Sequence, residues 1–153
     1  EEERMSDGLD IIIVDDEPHV CDVLAETIGR FYTWGEVITF NDYASATDYC
    51  LGAGKGLMVF VLDVFVGETN GFAFLDAISE KYPNAAMDTI MISGMASDDV
   101  VDMCVATGVH HLLEKPVRPY ALQLAVRSIV MKYLKFAMRL LADSELAEII
   151  GRM

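Results

Sequence analysis

At 153 residues the chain has the length of one domain with a core of its own. Hydrophobic residues make up 53% of it and mean hydropathy is +0.32, yet no apolar run approaches the roughly 20 residues of a membrane-spanning helix. The net charge of −14 argues against nucleic-acid binding by the main body, because phosphates would be repelled.

Residues 1–8, opening Glu1-Glu2-Glu3-Arg4, are expected to be a tag-like, disordered start. Their acidity is the opposite of a secretory leader's basic opening. From residue 9 the chain alternates strand-like and helix-like segments five times, which predicts a parallel sheet with helices on both faces. Leu9 to Val14 is an apolar strand of the kind buried on both sides. Glu17 to Phe31 is expected to be helical, with Val20, Val23, Leu24, Thr27 and Ile28 inward. A short strand spans Glu36 to Phe40, and Asn41 or Asp42 caps a helix running to Leu51. Gly52, Gly54 and Gly56 break the chain before the central strand Leu57 to Leu62. A helix follows from Gly71 to about Lys81, with Pro83 as its stop. Met87 to Ile92 is the fourth strand, Ser97 caps a helix that Gly108 closes, and Val109 to Leu113 is the fifth. Pro119 then opens a long last helix. Cys21, Cys50 and Cys104 form no CxxC pair, which points to buried, reduced thiols and a cytoplasmic setting.

Polar groups sit where the strands end: Asp15-Asp16-Glu17-Pro18 after the first, Asp63 after the third, Ser93-Gly94 after the fourth and Lys115-Pro116 after the fifth. In a parallel α/β sheet those ends converge on the edge where such proteins bind ligands. Singly, an Asp at a strand end is usually a cap or turn residue. Four groups in this order resemble the receiver domain of two-component response regulators, and the resemblance covers about Leu9 to Met131, residues 9–131 as one domain. Asn70 and Gly71, seven and eight positions after Asp63, add to it. It implies a flavodoxin-like doubly wound sheet of order 2-1-3-4-5.

Three close carboxylates, Asp15, Asp16 and Asp63, cannot all stay ionised without a cation. Such oxygen ligands suit Mg²⁺, and Mn²⁺ or Ca²⁺ could substitute. Asp63 is the natural nucleophile, becoming an aspartyl phosphate, with Ser93 and Lys115 reaching the phosphoryl oxygens. The resemblance implies further roles: the Phe65 carbonyl as a metal ligand, a histidine kinase or phosphotransfer protein as donor, and a cis Lys115–Pro116 bond. It implies no enzymatic turnover beyond the chain's own phosphoryl transfer and slow dephosphorylation. Phe65 and Met95 fall where the family controls access of hydrolytic water, and both are apolar, which predicts a long-lived phosphoryl group. The loop Val64-Phe65-Val66-Gly67 departs from the family's usual Met-Pro pair at its last two positions. Leu112 stands where the family carries a switch aromatic, so signalling through Ser93, Leu112 and Pro116 cannot follow the usual aromatic swing. His110 and His111 are read as surface histidines, since neighbours on a strand face opposite ways, and His19 as a solvent-facing residue.

Other classes fit less well. A haloacid-dehalogenase-type phosphatase needs an acid at position 65, which is Phe65. A flavodoxin-like cofactor module would need a first loop that accepts phosphate, and Asp15-Asp16-Glu17 repels one. A receiver fragment of a longer regulator, or an interaction module that is never phosphorylated, stays open.

The C-terminal segment is physically different. Residues 1–117 hold 22 acids against 5 bases, whereas residues 118–153 hold 3 acids against 6 bases. Lys132, Lys135 and Arg139 follow Ser128 along one helical stripe, among Val130, Tyr133, Leu134, Phe136, Met138, Leu140 and Leu141. Leu122, Val126 and Ile129 can pack on the sheet. Residues 132–153 are expected to outrun it as a helical extension, with Asp143 or Ser144 capping a short helix that carries Leu146, Ile149 and Ile150. So broad an apolar surface predicts a homodimer through the C-terminal helices, rather than a helix lying on a membrane.

Overall fold

The computed structural model of the chain describes residues 8–143 together with Glu148 and Gly151. In order, the elements are β1 (Ile11–Val14), α1 (Pro18–Gly29), β2 (Val37–Phe40), α2 (Tyr43–Gly52), β3 (Val59–Asp63), β4 (Phe65–Val66), β5 (Thr69–Asn70), α3 (Gly71–Ala77), β6 (Thr89–Ser93), α4 (Asp98–Thr107), β7 (His111–Glu114) and α5 (Pro119–Ala142). The five long strands form one parallel sheet of order β2-β1-β3-β6-β7, the expected 2-1-3-4-5 arrangement. The short β4 and β5 pair antiparallel in the loop after Asp63.

Side-chain alternation sends the strands' apolar residues to two cores. Ile12, Val14, Phe60, Leu62 and Met91 pack under α2, α3 and α4. Ile11, Ile13, Val61, Ile90 and Ile92 pack under α1 and α5. Short-range signals set several helix ends. Asp42 caps α2 by accepting from the Ser45 amide at 2.6 Å, Asn70 caps α3 and Ser97 caps α4. Gly108 closes α4 at φ 90°, a left-handed conformation suited to glycine.

Several expectations change, and among them the fourth and fifth strands start at Thr89 and His111 rather than Met87 and Val109. α1 turns Cys21, Leu24 and Ile28 inward, while Val23 is 47% exposed and Val20 half-buried. α3 ends at Ala77 rather than Lys81, and there the Ser79 amide and hydroxyl both bond the Asp76 carbonyl. That local bond tightens the chain into a turn. The central strand starts at Val59, leaving Leu57 exposed.

α5 runs through position 131 without a break and buries Leu122, Ala125, Val126, Ile129 and Val130. Tyr133 and Leu134 still pack against the core, so the sheet covers the helix slightly further than expected. Phe136, Met138 and Leu141 lie open. Ser144, Leu146, Ile149 and Ile150, proposed for a final helix, lie outside the described residues, and Asp143 is the C-cap of α5. No described helix is long and apolar enough to cross a membrane. Cys21, Cys50 and Cys104 are free and buried.

Candidate functional site

The parallel sheet delivers the polar strand ends to one edge. Asp15 follows β1 and is 1% exposed, Asp63 ends β3 and is 7% exposed, and Ser93 ends β6 and is buried. Asp16 is exposed beside them. Oxygens of Asp15, Asp16 and Asp63 lie within 4.8 Å of one another. Lys115, one residue past β7, brings its Nζ to 2.7 Å from Asp15 Oδ2 and 2.9 Å from Asp63 Oδ2. The Lys115–Pro116 bond is cis, as the resemblance implies.

Main-chain donors hold the carboxylates from behind. The Glu17 amide donates to Asp15 Oδ1 at 2.9 Å, and the Phe65 amide to Asp63 Oδ1 at 3.3 Å. Asn41 Nδ2 donates to the Asp15 carbonyl at 3.0 Å, and the Cys21 thiol reaches the same oxygen. Burial pushes that thiol up to about 11, with the Asp15 charge adding to the effect.

The charges do not balance. Burial raises the Asp63 pKa above the usual carboxylate range; the Lys115 ammonium opposes this and the Asp15 charge adds to it. Burial disfavours the Lys115 charge, but its bonds to the two carboxylates outweigh that and hold its pKa up. Asp15 Oδ2 is buried and touches the ammonium without a well-aligned hydrogen bond. Three carboxylates against one ammonium leave two negative charges in a small space. An all-oxygen set with that deficit and an under-satisfied buried oxygen fits a hard divalent cation such as Mg²⁺.

Of the remaining expected residues, Ser93 stands at the same strand-end edge, whereas His110 and His111 lie at the start of β7, the opposite end of the sheet. Ser93 Oγ bonds its own loop, donating to the Met95 carbonyl at 2.9 Å and accepting from the Met95 amide at 3.2 Å. Phe65 and Met95 form an apolar rim, 63% and 79% exposed. Leu112 is half-buried against the core beneath α2, α3 and α4. His111 is also half-buried, and burial, then His110 and Lys132, push its imidazole pKa down. His110 and His19 are exposed.

One participant escaped the sequence. Tyr43, at the start of α2, lies buried beneath the site and donates its hydroxyl to the Asp63 main-chain carbonyl. Only an aromatic in the first turn of a polar-looking helix hinted at it.

A model of the response regulator receiver domain matches residues 11–127. The chain belongs to this family. It is 24% identical over 122 residues to the transcriptional regulatory protein CitT of Halalkalibacterium halodurans, covering 80% of this chain and 52% of that one. It therefore spans about half the length of the curated relative it matches. Among solved structures, a CheY-like receiver domain protein from Methanospirillum hungatei superposes with a TM-score of 0.70 at 20% identity, covering 83% and 97% of the two chains. The beryllofluoride-activated NtrC4 receiver domain dimer gives 0.69 at 24% identity, covering 81% and 98%. At these identities the structural likeness speaks for the fold alone. The family match ends inside α5, so the helix's last turns lie beyond it.

Proposed function

We propose that this receiver is phosphorylation-dependent, with Asp63 as the acceptor and a histidine kinase or phosphotransfer protein as the donor. The observation that carries the reading is the deficit of two positive charges at the sheet edge around a buried Asp63. An Asp63 oxygen would bond to phosphorus as the donor's phosphorus–nitrogen bond breaks and its electron pair returns to the imidazole. Lys115, already 2.9 Å from Asp63 Oδ2, would shift its ammonium onto the incoming phosphoryl oxygens. Ser93 would leave its bonds to Met95 and turn to the same group. Asp15, Asp16, Asp63 and the Phe65 carbonyl would hold Mg²⁺, which when bound supplies the positive charge that the transferring phosphoryl group needs. An apolar groove of about 500 Å³ beside the site, lined by Val20, Val23, Pro116 and Val117, is suited to seat the donor. Leu112 and Pro116 carry the signal onward in this reading.

The test is phosphoryl uptake from a small phosphodonor with Mg²⁺. Asp63→Ala should abolish it while the fold survives, and Asp16→Ala should chiefly weaken Mg²⁺ binding. Full uptake by the Asp63 variant would sink the assignment. In this reading the chemistry is the receiver's own modification rather than turnover, and the setting is cytoplasmic, a reading the buried free thiols support.

The open end of α5 supports a homodimer. Phe136, Met138 and Leu141 are exposed beside Lys135 and Arg139, on the one part of a strongly acidic chain that carries net positive charge. A second copy can cover the apolar face and set these bases against its acidic body, and one structural neighbour is itself described as a receiver dimer. Light scattering at tens of micromolar should give twice the chain mass; a monomer with and without phosphoryl group removes this reading. The share of CitT covered favours a second reading, in which the chain is the receiver portion of a longer regulator.

A further inference from the structure

We propose that Tyr43 is a positioning residue for the acid site, its hydroxyl fixing the Asp63 main-chain carbonyl and thereby the loop that carries Phe65. The inference rests on the reading of Asp63 as acceptor and Mg²⁺ ligand. Three of the bonds that hold the turn out of β3 reach its first two residues from outside the turn's own tip. The Val64 amide donates to the Ile92 carbonyl and the Gly71 amide to the Val64 carbonyl, both at 2.9 Å, and Tyr43 takes the Asp63 carbonyl. Two of these are main-chain bonds of the kind any such loop can make. The third comes from a side chain 20 residues away in sequence. The Tyr43 ring is locked against Phe74, with centroids 5.1 Å apart. A tyrosine hydroxyl carries its proton at neutral pH and a carbonyl can only accept, so Tyr43 is the donor.

The surroundings are fitted to this hydroxyl. A Cβ on Gly71 would sit 2.9 Å from it and 3.0 Å from the end of Met91. Met91 has a flexible end that can move aside; a hydroxyl bonded to Asp63 cannot move without releasing the carbonyl. Glycine at 71 thus leaves room for the Tyr43 contact as well as donating to Val64. A released Asp63 carbonyl frees the peptide from which the Asp63 carboxylate and the Phe65 main chain are both hung, and groups that orient metal ligands from behind commonly cost tenfold or more when removed.

The experiment compares Tyr43→Phe with Tyr82→Phe, each in the full chain. Tyr82 makes an equivalent buried bond, 2.7 Å from its hydroxyl to the Cys50 carbonyl, in the same core and away from the acids. Calorimetric Mg²⁺ titration should show about tenfold weaker binding for Tyr43→Phe and unchanged binding for Tyr82→Phe. Uptake from acetyl phosphate should slow in the same pattern. Gly71→Ala should weaken Mg²⁺ binding too, and by less in the Tyr43→Phe background, because the two act through one contact. Wild-type Mg²⁺ affinity in Tyr43→Phe, with a thermal stability loss matching that of Tyr82→Phe, overturns the proposal. The Mg²⁺ titration needs no phosphoryl transfer, so failure of Asp63 as acceptor shows separately, as uptake that survives Asp63→Ala.

Discussion

The two edges of the sheet carry similar residues in different arrangements. At the edge where the strands begin, Asp10 and Asp88 are 2% and 1% exposed, and each has a lysine of its own. Asp10 pairs with Lys55 and accepts from the Glu36 amide at 2.9 Å; Asp88 accepts from Lys132 at 2.6 Å and from the Tyr133 hydroxyl. Every carboxylate oxygen there has a partner. At the edge where the strands end, Asp15 and Asp63 share Lys115, with Asp16 close by. A buried acid with its own base is a structural joint. Several acids with one base among them form a site that still calls for positive charge.

That contrast can be broken by mutation. The largest stability effect belongs to the joint: Asp88→Ala should cost about 2–3 kcal/mol in urea unfolding, since Lys132 and Tyr133 lose their acceptor, while phosphoryl uptake stays near wild type. An equal loss of uptake would show that the two edges are not separate. The acid site should do the reverse. Asp63→Asn removes a buried charge that the fold tolerates poorly, so the variant should be more stable than wild type at neutral pH, by about 1 kcal/mol. The sign follows from the raised native pKa of Asp63. Between the ordinary value of 3.8 and that raised value the native state binds more protons than the unfolded one, so wild type loses stability as pH rises. The gap between the two proteins should therefore shrink on acidification toward pH 3.8, as thermal melts across that window would register. Least in size is the rim. Phe65→Asn gives hydrolytic water a polar neighbour, and decay of the phosphorylated protein should quicken severalfold. Equal decay rates would deny the rim any part in protecting the site.

What could be read from the chain was whatever depends on neighbours in sequence. The parallel sheet with helices on both faces follows from alternation and buried apolar runs, its strand order from the family resemblance, and the caps at Asp42, Ser97 and Gly108 from residue types within one turn. The polar strand ends meet because a parallel sheet gathers them, so Asp15, Asp16, Asp63 and Lys115 could be named before any coordinates. Tyr43, Asp10 and Asp88 could not. Their partners lie 20, 45 and 44 residues away, and nothing local separates Asp88 from a surface acid. The Ser93 hydroxyl teaches the same lesson at short range: the residue type was legible, but its bonds to Met95 belong to loop geometry.

The joint at Asp88 also marks where α5 leaves the core. Lys132 stands 13 residues after Pro119 and 10 before Ala142. At 1.5 Å per residue, roughly 20 Å of helix lies before the joint and roughly 15 Å after it. The first stretch is held on the sheet by Leu122, Val126, Ile129 and Val130, and just past the joint Tyr133 and Leu134 still touch the core. Phe136, Met138 and Leu141 are therefore carried on a short outrigger whose root is anchored, next to the start of β6, by a buried carboxylate.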